Sequence, residues 1–180
     1  MPTKAQTRRL DGYASAIAGI AAAQPDPAAF VDSFFAAAMA MAGNRELRDA
    51  LADTAIPAQR KQAIIDELLG GRTDAVVVAA LDFLVAAGQG KILDGIATRV
   101  AELAAEDEGS VVAEVRSAVA LSDKQIERLA AALSSATGKN VQVRAVTDPS
   151  VIGGIVAQVG DTVFDGSVRS RFANLREQWG

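Results

Sequence analysis

At Gly109 the hydrophobic pattern of this 180-residue chain changes period. Upstream, apolar residues recur every three or four positions, the spacing of one helix face. Downstream, Val111, Ala113, Val115, Ser117 and Val119 alternate with Glu114 and Arg116, the two-residue spacing of a strand with one solvated face. A side-chain pattern that suits one period cannot bury its apolar set on the other. The switch therefore predicts two domains, residues 1–105 and 110–180, in a protein that is α+β overall.

Six helices are expected upstream, packed as a bundle with short connections. The first spans Lys4–Ala23, with Leu10, Tyr13, Ile17 and Ile20 on one face. Pro25-Asp26-Pro27 breaks the chain, with Asp26 as N-cap and Pro27 at the first position of the second helix. That helix carries Phe30, Phe34 and Met41 and is expected to stop at Gly43. Asn44 caps a short third helix, Pro57 opens the fourth, and Gly70-Gly71 closes it. The fifth, begun by Thr73 or Asp74, is apolar nearly all round, as a helix touched on several sides would be. Gly88-Gln89-Gly90 ends it, and Lys91–Glu108 forms the sixth.

The remainder reads as β-α-β-β-α. The first strand is expected over Val111–Val119. Ser122 and Gln125 fit a capping box for a helix carrying Ile126, Leu129 and Leu133, which Gly138 stops. Val141–Val146 is a second strand, and Ile155–Val159 and Thr162–Phe164 form a hairpin around Gly160-Asp161. Asp165, Gly166 and Ser167 offer the cap of a last helix, whose Val168, Phe172, Leu175 and Trp179 share one face that docks on the sheet.

Chemistry is bounded by absences in the sequence. The chain has no Cys and no His, which removes thiolate chemistry, disulfides, His-based triads and most transition-metal sites. Aromatics are 4%, so the core must be built from Ala, Val, Leu and Ile. The net charge of −4 is uneven: residues 1–109 hold ten Lys/Arg against fifteen Asp/Glu, and residues 110–180 hold eight against seven. Neither part has the basic excess of a nucleic-acid binder. No run reaches the ~20 apolar residues that span a bilayer, so direct membrane insertion is not expected, nor is a secretory signal.

Few motifs compete for a function. Ile152-Gly153-Gly154-Ile155 lacks the spacing of a phosphate loop and precedes a strand, so Gly153 and Gly154 read as positions of close backbone approach or a bulge. Arg169, Arg171 and Arg176 read as a solvated face. No two carboxylates form an evident catalytic pair, and no cofactor is implied. The first and fifth helices carry more apolar surface than one bundle contact needs. Tyr13, Ile17, Val78 and Val85 are selected there, by helical position, as candidates for a groove that receives a partner helix.

The run from Val143 to Asp161, VRAVTDPSVIGGIVAQVGD, resembles the signature of the F-type ATP synthase delta subunit family, whose mitochondrial counterpart is the oligomycin-sensitivity-conferring protein. Its continuation Val163-Phe164-Asp165-Gly166-Ser167-Val168-Arg169-Ser170-Arg171 extends the likeness. So do Tyr13-Ala14, Phe83-Leu84 before Gly90-Lys91, and Ser117-Ala118 before Leu121-Ser122. The resemblance implies a non-catalytic stator subunit. Its helical domain would grip the N-terminal segments of the alpha subunits through the first and fifth helices, and its second domain would meet the C-terminal ends of the b subunits. It also implies a peripheral place on the cytoplasmic face of a bacterial plasma membrane. Two other classes stay open on the residues alone: a generic two-domain adaptor, and an enzyme with converging carboxylates.

Overall fold

A computed structural model of the chain describes residues 4–151, 153–160 and 162–165. Those residues form seven α-helices and a four-stranded sheet, an α+β architecture. They divide between Ala104 and Ala105 into two compact units. Among them no single helix is long and apolar enough to cross a membrane.

The first unit is helical. Helix α1 spans Lys4–Ala22, α2 Pro27–Gly43, α3 Arg45–Ala52, α4 Ala58–Leu69 and α5 Ala75–Ala86. A 3-10 turn, Gly90–Ile92, leads into α6, Leu93–Asp107. Local chemistry fixes most of the starts. The amides of Ala29, Leu47 and Val76 donate to the side chains of Asp26, Asn44 and Asp74 at 3.0, 3.1 and 2.8 Å, each satisfying a donor that the first turn leaves without an intrahelical partner. Gly43 is the last residue of α2 and not its stop. Asn44, extended at φ −90°, both ends α2 and caps α3.

Helix α2 packs on α1, α3 and α5, and α4 packs on α5. Phe34, Ile17, Leu51, Ile65, Leu81, Leu84 and Ile96 have no exposed surface. Phe30 and Phe34 stack at 6.0 Å between ring centroids. The sixth helix begins later than its spacing predicts, because residues 90–92 wind as a tight 3-10 turn against α3. Gly90 is buried there, and a Cβ on it would lie 2.8 Å from the Leu51 carbonyl oxygen.

The second unit is built on β1 (Val111–Ser117), α7 (Asp123–Thr137), β2 (Val141–Thr147), β3 (Ile155–Val159) and β4 (Thr162–Asp165). The strand order is β2-β1-β3-β4. Strands β1 and β2 are parallel from Val111↔Val141 to Ser117↔Thr147, so α7 is the crossover a parallel pair needs. Strand β3 runs antiparallel to β1, and the β3–β4 hairpin closes with Val159 opposite Thr162. Gly160 takes φ +56° at that turn, a conformation costly for a residue with a Cβ. Gly138 ends α7 in the same region at φ +69°. At the head of α7 the Ser122 amide and hydroxyl both donate to Gln125 Oε1 at 2.9 Å.

Alternation sets the sheet's inner face. Ala113, Val115, Val141, Ala157 and Val159 bury against Leu133, with Val143, Ile155, Leu129 and Phe164 at the margin. Strand β1 stops at Ser117, two residues short of its alternating pattern, because the Ser117 hydroxyl donates to the Val119 carbonyl and turns the chain. Val119 is left 69% exposed. Asp161 and the last helix expected after Gly166, with Ser167 and Phe172, lie outside the described residues.

Gly90→Ala should lower the stability of the helical unit by about 1–3 kcal/mol, the range for overpacking a tight contact. A thermal melt reads it. An unchanged melting temperature would show that the approach to Leu51 is slack.

Candidate functional site

Helix α5 offers a partner very little. Val77, Leu81 and Leu84 are fully buried, and Val78, Ala80 and Val85 nearly so. What stays exposed is the arc carrying Ala75, Ala79, Phe83 and Ala86. Phe83 is the one large residue on it, 50% exposed. On α1, Tyr13 is half-buried, and its ring meets Phe83 at 6.0 Å with the planes tilted by 60°. That edge-inclined geometry is favourable for two aromatic rings. Ile20, further along α1, is 36% exposed. The pair and Ile20 make an apolar surface shared by two helices, with the small residues Gly12, Ala16 and Gly19 beside it on α1. A Cβ placed on Gly12 or Gly19 would meet nothing within 4 Å.

Of the four residues selected by helical position, only Tyr13 reaches this surface. Ile17, Val78 and Val85 are 0%, 8% and 1% exposed. They face the interior of the unit, and in this conformation they present almost nothing to a partner. Spacing missed Phe83 because a helix that is apolar nearly all round has no polar face to mark which side is out. Only tertiary contact separates Phe83 from its buried neighbours on α5.

Asp82, beside Phe83, is the charged member of the same helix. Burial and then the charge of Asp66 on α4 hold its carboxyl above the usual range. Its Oδ1 is shielded from solvent without a hydrogen-bond partner among the described residues. A depression lined by Ser33, Ala37, Leu69, Arg72, Thr73 and Asp74 contains one carboxylate, Asp74, and that group is engaged as the α5 cap. It does not supply the converging acids that a carboxylate enzyme needs. Among the described residues no group of three or more Asp or Glu is placed to hold a metal ion.

In the second unit the signature segment is a turn system. The Asp148 amide donates to the Ser117 carbonyl at 2.8 Å, and the Ser150 amide donates to Asp148 Oδ1 at 2.9 Å. Hydrogen bonds from the Ser150 side chain and backbone hold the Asp148 carboxyl below its ordinary range, aided by Arg116. Gly153 and Gly154 have φ +67° and +76°. Both therefore take left-handed backbone, which favours glycine, at positions the sequence marked for close backbone approach or a bulge. Asp165 is the last residue of β4, opposite Val156. Gly166, Ser167, Phe172 and Asp161 lie outside the described residues.

Comparison with known proteins falls on this same frame. The ATP synthase delta (OSCP) subunit family matches residues 11–179. A Chlorobium luteolum protein named ATP synthase subunit delta is 38% identical over 76% of this chain and 75% of its own length. One from Chloroherpeton thalassium is 32% identical over 91% of this chain and 90% of its own. The Nocardia farcinica protein of the same name is 38% identical over 82% of this chain, but the match covers only 54% of that protein. The chain thus spans about half the length of the Nocardia-type relatives it matches. A chain in the cryo-EM structure of the Toxoplasma gondii mitochondrial ATP synthase hexamer shares the fold, with a TM-score of 0.55 at 22% identity, covering 94% of this chain and 96% of that one. This chain belongs to the ATP synthase delta (OSCP) subunit family.

The raised Asp82 carboxyl has a definite sign. Its folded-state pKa lies above its unfolded value, so the ionised form opposes folding at neutral pH and the penalty fades as pH falls through the folded pKa. Asp82→Asn should melt higher than the native chain at pH 7, with the gap closing in acid. A gap independent of pH would contradict the assignment.

Proposed function

We propose that the chain is a non-catalytic stator subunit of an F-type ATP synthase, linking the catalytic head to the peripheral stalk and resisting rotor torque during proton-driven ATP synthesis. On this reading residues 1–105 act as a six-helix bundle that holds the N-terminal segments of the alpha subunits. Residues 110–180 act as a β-α-β-β-α domain, completed by a last helix that Asp165, Gly166 or Ser167 starts and Phe172 docks, and meet the C-terminal ends of the b subunits. The subunit sits peripherally on the cytoplasmic face of a bacterial plasma membrane, with no cofactor and no nucleic acid.

The observation that carries the reading is the Tyr13–Phe83 pair. The half-exposed Phe83 ring lies on a helix whose other large side chains are buried. Large apolar groups in such a position mark interaction surfaces, and two adjacent helices with an aromatic rim suit an amphipathic helix laid between them. A joint under torque needs slow release, and related interfaces tune affinity chiefly through the off-rate. The lack of His and Cys fits a subunit that holds and does not catalyse.

Tyr13→Ala and Phe83→Ala should each weaken an alpha N-terminal peptide by about 2 kcal/mol or more, roughly 30-fold in Kd. Far-UV circular dichroism should be unchanged for both. Calorimetry against the full chain checks the effect, and unchanged affinity in both variants would move the site elsewhere. Leu84→Ala is the contrast: it should cost about 2–5 kcal/mol of stability through the cavity it leaves.

A further inference from the structure

Asp82 carries a charge that the fold around it does not meet. It is partly buried on α5, and its Oδ1 is shielded from solvent with no hydrogen-bond partner among the described residues. The charge acting on it is that of Asp66 on α4, which has the same sign. A carboxylate withdrawn from water is costly unless a donor or counter-charge meets it. Groups perturbed in this way, by desolvation and a like charge, concentrate at functional sites.

The place of Asp82 on the helix is the independent observation. At 3.6 residues per turn, Asp82 and Phe83 lie about 100° apart around α5, and Ala79 and Ala86 fall between them. Both alanines are exposed, as is Phe83. The outward arc of α5 thus has a floor of methyl groups and two unlike edges. On one edge Phe83 meets Tyr13 of α1. On the other Asp82 lies in the field of Asp66, which is exposed on α4, the helix packed against this side of the unit's core. A helix laid along the alanines therefore has one flank on aromatic rings and the other on two acids.

We propose that Asp82 is the polar anchor of the α5 docking surface and selects a partner helix bearing a Lys or Arg on the flank opposite the side chain packed on Tyr13 and Phe83. The inference rests on the stator reading, in which the occupant is an alpha-subunit N-terminal segment. The partner's cation donates to the Asp82 carboxylate and offsets the repulsion from Asp66. Charge-assisted bonds of this type are roughly twice as strong as neutral ones. Apolar contact along the alanines accepts many amphipathic helices. The acid edge does not, because a helix with Asp, Glu or an apolar group at that flank leaves the carboxylate repelled or unmet.

Calorimetry with the full chain and an alpha N-terminal peptide from the same ATP synthase tests this, beside a second peptide in which every Lys and Arg is replaced by Gln. Asp82→Asn keeps the side chain's shape and, by the sign worked out above, folds at least as firmly at pH 7, so binding lost in it is not structure lost. At low salt Asp82→Asn should weaken the first peptide about tenfold. The gap should shrink in about 1 M salt, where charges are screened within about 3 Å. The Gln peptide should bind the native chain and Asp82→Asn equally. Equal binding of the first peptide to both chains overturns the proposal, and so does a gap that persists with the Gln peptide. Phe83→Ala separates this inference from the reading beneath it. If Phe83→Ala weakens the first peptide and Asp82→Asn does not, the helix docks here without selection by charge, and this inference alone fails. If the native chain binds neither peptide, the stator reading fails and this inference with it.

Discussion

The wide burial of α5 is the constraint from which the helical unit follows. Val77, Leu81 and Leu84 have no exposed surface and Val85 almost none. Each such side chain contributes about 1.5–3 kcal/mol relative to staying in water. Few aromatics are available, so these contacts come from short aliphatic groups, and close approach replaces bulk. Helix α2 presents Phe30, Val31, Phe34, Phe35, Ala37, Ala38 and Met41 to the interior, which is how one helix can serve α1, α3 and α5 together. Once α5 is held on so wide an arc, its outward face is narrow. Phe83 is the one large group left on it, and its partner Tyr13 comes from α1. The docking surface is thus what the packing leaves over.

Much of this was legible in the residues because local chemistry announced it. Asp26, Asn44 and Asp74 cap where short polar side chains before apolar runs should cap. The alternation after Gly109 became a sheet with the expected inner face. Where the sequence misled, two local rules competed. Gly43 stayed helical because Asn44 could break the chain and cap the next helix at once. Val119 continued the strand's alternation in sequence, but the Ser117 hydroxyl turned the backbone first. Val78 and Val85 were indistinguishable from surface residues by periodicity, since an all-apolar helix gives no direction, whereas Ile17 sits on the one apolar face of α1 and is buried by the unit's own packing. Only tertiary contact sorts them. The parallel pairing of β1 with β2 was likewise beyond the strand pattern, which fixes a face and not a neighbour.

The second unit shows how a specific sequence signature can be demanded by backbone geometry. Strands β1 and β2 run parallel and end together at Ser117 and Thr147, so the chain must return across the strand ends before β3 can pair antiparallel with β1. The Asp148 amide holds the first step of that return on the Ser117 carbonyl. Asp148 then accepts from Ser150, and Arg116 approaches its carboxylate at 3.8 Å. Gly153 and Gly154 follow in left-handed conformations, and the hairpin reverses at Gly160, also left-handed. A side chain at any of these glycines would meet a dihedral penalty of about 1–2 kcal/mol, whatever space surrounds it. Aspartate, serine and glycine at these places do the work of a sharp return. Beside them Arg116 and Glu114 pair at 2.7 Å on the sheet face away from the core. Ala113 and Val115 on the inner face fix the register, because a slip of one residue would turn them away from the core and bring Glu114 and Arg116 onto it.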